Sequence, residues 1–150
     1  MNRKVISKTT MEKIVKQLTE LEEQKSIILE RYYSEPSSKR DNFNKMIQRY
    51  VSYTENFLKN VSVVDEDTSS LPFVTINSDV EVTDLEEQET FTLRIVSPLI
   101  EESPVNVNCV SYLSPVGSAL LLKEVNDEIR IQVSSQVLKY KINNIWIMDA

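Results

Sequence analysis

The side chains that carry most enzymatic chemistry are scarce in this chain of 150 residues. It has no histidine, which removes the commonest general base and the commonest metal ligand together. Its one cysteine, Cys109, cannot form an internal disulfide. It sits in a strand-like run and reads as core, in a protein of a reducing compartment. The stretch "SYLSPVGSALLLKEVNDEI", from Ser111 to Ile129, contains the only glycine, Gly117. It has no nucleophile with a base beside it. The remaining candidates for chemistry are charges, and they are unevenly spread. Residues 1–60 carry 12 Lys and Arg against 8 Asp and Glu, a net of +4, and the remainder carries 5 against 15, a net of -10. A basic half joined to an acidic half points to two modules with different neighbours, nucleic acid being a natural one for the first. Solvated faces would give the same numbers.

The elements that must position these charges begin with a helical pair. "TTME" is a capping box, Thr9 with Glu12. Apolar residues then recur at Met11, Ile14, Leu18, Leu21, Ile28 and Tyr32, a heptad seam broken at Lys25. Pro36 ends the pattern near Ser34 or Glu35. A second run, Phe43, Ile47, Tyr50, Thr54, Phe57 and Val61, follows, with Asp41 or Asn42 suited to cap it. Two helices of roughly 20–25 residues with a short connection pack antiparallel, each roughly 30–37 Å long. With no third amphipathic helix to complete a bundle, they form a projecting coiled-coil hairpin over 1–64. Tyr32, Tyr33, Tyr50 and Tyr53 near the seam read as hairpin core, with a base-stacking platform as the alternative.

"DEDTSSLP", 65–72, is a linker by composition. Beyond it the texture changes to period two. "FVTIN", "DVEVTDL", "ETFTLRIV", "NCVSYL", "EIRIQV" and "LKYKINNIWI" are expected strands of an antiparallel sheet, with Trp146 as packing in the last. The one short helix is "PVGSALLLK". Ser114 caps it, Pro115 takes its first position, and Ala119, Leu120 and Leu121 face the sheet. Gly117 inside that helix costs about 1 kcal/mol relative to Ala and marks a close approach. Asn126 suits a positive φ in the following turn. The fold class is α+β, with a C-terminal domain over 73–150. No apolar run approaches the ~20 residues that span a bilayer, and the first residues lack a secretory h-region. The chain reads as a cytoplasmic protein.

"LSPVGSALLLKEVNDEI" resembles the C-terminal signature of the bacterial Gre transcription elongation factors, GreA and GreB. Ser114, Pro115, Gly117, Ala119, Leu120, Leu121, Lys123, Asp127 and Glu128 match in place. Leu122 and Asn126 stand where the family has glycine. "FTLRIVSPLIEE" resembles the strand and turn upstream, and the N-terminal half resembles the family's antiparallel coiled coil. The resemblance implies an FKBP-like C-terminal domain that docks on the rim of the RNA polymerase secondary channel, through Leu113, Ser114, Pro115 and Gly117. It implies a coiled coil entering the channel, whose tip acids help hold a Mg²⁺ at the polymerase active site while the polymerase cleaves backtracked RNA. The protein would then be a monomeric factor and not itself an enzyme. It would have no tightly bound cofactor of its own, and its contact with nascent RNA and DNA would be indirect.

The tip departs from the family pattern. Aligned there, "SSKRDNFNK" keeps Asp41 and Asn42, places Ser38 at the first acidic position, and puts Lys39 and Arg40 in between. Asp41 is the one metal-facing candidate, with Glu35 across Pro36 as a possible second acid. The hairpin is also several residues per arm shorter than the family's, which withdraws the tip by roughly 5–10 Å. Lys39, Arg40 and Lys45 face RNA, polymerase acids or solvent. The expectation is a secondary-channel factor that modulates elongation, pausing and backtracking with weak or no cleavage stimulation. The alternatives are an active cleavage factor using Asp41 and Glu35, a regulator like Rnk with a shorter coiled coil, and, least supported by its aromatics, a prolyl isomerase.

Overall fold

A computed structural model of the chain describes residues 5–65, 68–100 and 107–148. It divides into two compact units, Met1–Asp67 and Thr68–Ala150.

The first unit is a helical hairpin closed at its base by a small sheet. Helix α1 spans Lys8–Tyr32 and helix α2 spans Ser38–Asn60, about 37 and 35 Å long at 1.5 Å per residue. Strand β1, Val5–Ser7, precedes α1 and pairs in parallel with β2, Ser62–Val64, which follows α2. Parallel strands need a long crossover, and here the whole hairpin supplies it. Neither strand is expected from the sequence, because three residues give no readable alternation.

The caps fall earlier than expected. The α1 cap is Ser7, whose Oγ accepts from the Thr10 amide at 3.1 Å and donates to Thr10 Oγ1 at 2.9 Å. Thr9 lies inside the helix. The last residue of β1 is already extended, so the change of backbone geometry that defines an N-cap comes there. Ser37 caps α2 in place of Asp41 or Asn42. Its Oγ accepts from the Arg40 amide at 3.1 Å, and its carbonyl already takes the Asp41 amide at 3.1 Å. Helix α1 stops at Tyr32, short of Ser34 and Glu35, and the Tyr33 amide bonds the Leu29 carbonyl at 3.0 Å.

The seam is shifted by one residue over much of α1. Thr10, Ile14, Gln17, Leu21 and Ile28 are buried, whereas Met11 and Leu18 are half-buried and Tyr32 is exposed. The burial steps of four and three are those of a coiled coil, but two of its positions are polar. On α2 the buried residues are Phe43, Ile47, Tyr50 and Thr54.

The second unit is a five-stranded sheet in the order β5-β4-β3-β7-β6. Its strands are β3 (Ser78–Asp84), β4 (Glu89–Val96), β5 (Asn108–Ser111), β6 (Glu128–Val133) and β7 (Gln136–Ile147). The sheet is mixed and not purely antiparallel, since β5 runs parallel to β4. Val80, Val82, Leu93, Ile95, Ile129, Ile131, Ile142 and Ile145 are buried, alternating with polar neighbours as a half-buried sheet requires. On the opposite face Arg94 makes a bidentate ion pair with its cross-strand neighbour Asp79, at 2.7 and 3.1 Å. The pairing of β3 with β7 slips between Glu81 and Val82, leaving Asn143 as an extra residue. Its Nδ2 donates to Thr83 Oγ1 at 2.8 Å, which ties the bulge that bends β7.

"FVTIN" is not a strand. Phe73, Val74, Thr75 and Ile76 are buried but irregular. The Val74 amide and carbonyl pair with the Lys123 carbonyl and the Leu122 amide, both at 2.9 Å, and Asn77 at φ 65° turns the chain into β3. Apolar alternation there reflects burial between loops and not sheet pairing. Of the expected linker, 66 and 67 lie outside the described residues, and its later part is already structured. The Leu71 amide bonds the Ile145 carbonyl at 2.9 Å, and the Ile147 amide bonds that of Ser69 at 2.7 Å. Cys109 and Trp146 are half-buried.

The cap assignments are testable by denaturation followed by helicity. Ser7→Ala and Ser37→Ala should each cost about 1 kcal/mol, while Thr9→Ala should stay within about 0.5 kcal/mol of the parent. Tyr140, edge-on to Phe91 at 5.5 Å, has its phenol pushed above the usual value of 10.0 by burial and then by the Asp84 carboxylate. Its stabilising contribution is therefore complete below pH 10 and is lost as pH rises through the higher folded value. Ultraviolet titration should show a tyrosine ionising late, and earlier in Asp84→Asn.

Candidate functional site

Each unit contributes one candidate. In the first it is the connection between the helices. Tyr33, the C-cap of α1, stacks on Phe43 with ring centroids 5.3 Å apart, and Tyr32 leans on Tyr33 at 6.5 Å. Residues 34–37 bridge the helices, and Arg40 reaches back to brace them. Its Nη1 donates to the Ser34 carbonyl oxygen at 3.3 Å. A cation among the loose carbonyls beyond a helix C-terminus has the favourable sign.

Glu35, Ser38, Lys39, Asp41 and Asn42 are all exposed, and Arg40 is half-buried. Ser38 to Asp41 form the first turn of α2, whose free amides already carry positive partial charge. Asp41 suits that position; Lys39 and Arg40 oppose it. Glu35 lies in the connection, on the other side of the Ser37 cap. Among the described residues no group of three or more His, Cys, Asp or Glu side chains could hold a metal ion. One carboxylate stands beside two cations and a helix N-terminus, and Ser38 supplies no charge.

In the second unit the candidate is the turn from β5 into helix α3, Pro115–Leu120. Leu113, Ser114, Pro115 and Gly117 lie together there, beside Ser111. The Ser111 carbonyl accepts from the Ser114 amide at 3.0 Å and from Ser114 Oγ at 2.7 Å. Ser114 Oγ in turn accepts from the Gly117 amide at 3.0 Å, capping the helix, and Pro115 opens it. The Leu113 amide donates to Ser111 Oγ at 3.0 Å. Ser111 thus organises the turn from both its backbone and its side chain, a role the sequence does not announce. Pro115 is exposed and Leu113 and Ser114 are half-buried, so the turn presents an apolar rim around a fixed cap.

Gly117 is buried, and its φ is not positive. It is there for space. A Cβ built on it would overlap the Ser111 carbonyl oxygen and lie 2.8 Å from the carbonyl carbon. This is the close approach expected from a glycine within a helix. Leu120 and Leu121 are buried as expected, while Ala119 is half-buried. Leu122 and Asn126 have φ of 69° and 76°. Both positions hold the left-handed geometry that favours glycine; asparagine tolerates it and leucine is strained by about 1–2 kcal/mol.

Residues 59–147 match the family model described as transcription elongation factor, GreA/GreB, C-terminal. The transcription elongation factor GreA of Clostridium kluyveri is 42% identical over 104 residues, which cover 69% of this chain and 64% of that protein. GreA of Clostridium acetobutylicum is 39% identical over 101 residues, covering 67% and 63%. The chain thus spans less than two thirds of the length of these relatives. A solved structure of GreA/GreB from Nitrosomonas europaea, 26% identical, covers 97% of this chain and 99% of that one with a TM-score of 0.48.

Gly117→Ala should cost about 1–3 kcal/mol, as overpacking against backbone does. Chemical denaturation of the full chain measures it; a cost near zero would mean that α3 is free to move away from Ser111.

Proposed function

The chain belongs to the GreA/GreB family of transcription elongation factors, and from that premise we propose that it acts on RNA polymerase, at the secondary channel. It modulates elongation, pausing and backtracking there with weak or no stimulation of transcript cleavage. It is a factor and not an enzyme; any RNA cleavage belongs to the polymerase.

The observation that carries this reading is the charge of the first turn of α2. Cleavage stimulation by shared metal requires carboxylates close enough to coordinate, at 2.0–2.1 Å for Mg²⁺. Here Asp41 shares its helical turn with Lys39 and Arg40, the latter braced on the Ser34 carbonyl. Such a tip can occupy a channel, but it repels the ion it would need to hold. The half-buried turn of Leu113 and Ser114 with exposed Pro115 supplies the docking rim. Its shape is fixed by the Ser111–Ser114–Gly117 bonds, so docking draws on a preformed surface and loses little to ordering.

The experiment is transcript cleavage in a backtracked bacterial elongation complex, with and without the protein. The expected outcome is no acceleration, and slower cleavage when the protein is added beside an authentic Gre factor. Acceleration that vanishes with Asp41→Ala would favour the alternative, a cleavage factor using Asp41 and Glu35. In a separate binding measurement, Ser114→Glu should weaken affinity for the polymerase at least tenfold, because it removes the cap and buries charge at the rim. Unchanged affinity would put the docking surface elsewhere.

A further inference from the structure

A directional interaction crosses the buried seam of the hairpin. Tyr50 and Gln17 are 1% and 4% exposed, and the Tyr50 hydroxyl donates to Gln17 Oε1 at 2.7 Å across 33 residues of sequence. The apolar members of the seam, Ile14, Leu21, Ile28, Phe43 and Ile47, are held by burial, which has no direction. Sliding one helix by a turn would leave such side chains buried. At its ends the hairpin is held by three-residue strands, by the stacking of Tyr33 on Phe43 and by an exposed bond from Arg40 to Ser34. A two-stranded sheet of that size is marginal by itself. One turn beyond Tyr50 on the same stripe, Thr54 is fully buried, and its hydroxyl has no hydrogen-bond partner. A second acceptor or donor for Gln17 therefore waits four residues away.

We propose that the Gln17–Tyr50 hydrogen bond is the register lock of the hairpin, selecting one of two axial alignments, and that Gln17 and Tyr50 are thereby positioning residues for the tip. A buried polar pair adds little net stability, since an apolar pair of similar volume packs as well. What it supplies is a penalty for every alignment that leaves it unpaired, as a lone polar residue does in coiled coils. The displaced alignment brings Gln17 opposite Thr54 and moves α2 along α1 by four residues, about 6 Å. The consequence for transcription rests on the channel function proposed above; the lock itself does not.

Double electron–electron resonance on the full chain separates the two. Spin labels go on cysteines replacing the exposed Glu12 and Gln48, in a Cys109→Ser background, with no polymerase present. The parent should give a single distance. Tyr50→Phe, which leaves Gln17 without its donor, should add a second population displaced along the axis by about 6 Å. Gln17→Leu with Tyr50→Phe, an apolar pair, should melt no lower than the parent and still broaden or split the distance. A single unshifted distance in the apolar double variant overturns the lock, whatever the fate of Tyr50→Phe alone. If the distances split but the variants act on elongation complexes as the parent does, the lock stands and the channel reading fails.

Discussion

Nearly every feature of the C-terminal candidate site depends on how closely α3 approaches the backbone of Ser111. The Ser111 carbonyl oxygen takes two hydrogen bonds from Ser114 and occupies the space where any side chain at position 117 would begin. That contact fixes the start of α3, which carries Leu120 and Leu121 into the core. Leu122 must then reverse at positive φ to return its amide to Val74. Leucine tolerates that backbone only because the surrounding bonds over-determine it. The exposed rim at Pro115 is one end of this chain of constraints, so its shape follows from the core.

The hairpin solves a different problem. Two helices alone bury little, and here two of the five buried α1 positions are polar. Burial drives the helices together but cannot say where along each other they should stop. The sheet domain has no such ambiguity, because each strand's alternation fixes which face is buried and a one-residue slip would expose the core. A directional bond across the seam therefore carries specificity that burial does not.

The sequence read best where local pattern and tertiary role agree. Strands β3 and β6 alternate cleanly because one face is solvated, while β4 and β7 lose the alternation at Ile95–Val96 and at the Asn143 bulge. Ser114, Pro115 and Gly117 carried their cap, first-turn and close-approach roles in their chemistry. The seam of α1 was harder, since Met11 and Leu18 are more apolar than Thr10 and Gln17. Only the partner at Tyr50 makes Gln17 a core residue, and that partner is 33 residues away. The caps failed for a related reason. Ser7, Thr9, Ser37 and Asp41 are all competent caps, and the choice was made by the end of β1 and by Pro36. "FVTIN" has the residues of a strand but pairs with the turn at Leu122 and Lys123. The roles of Glu35, Asp41 and the cations beside it lie in charge and exposure, which pattern alone does not rank.

Sign matters at the tip before reach does. A divalent cation approaching it meets the carboxylates of Glu35 and Asp41, the charges of Lys39 and Arg40, and the positive end of α2. Within the first turn of α2 Asp41 is outnumbered by Lys39 and Arg40, and the helix end adds to the positive balance. Lengthening the hairpin would not change that balance. In the proposed role the tip must therefore act by the space and the positive charge it brings to a fixed point. A factor that works through a coordinated metal can correct small misplacements, because coordination pulls its ligands in. One that works by occupancy has no such pull, and its effect depends directly on where the rod ends. That dependence is what a buried, directional pair in the middle of the hairpin would serve.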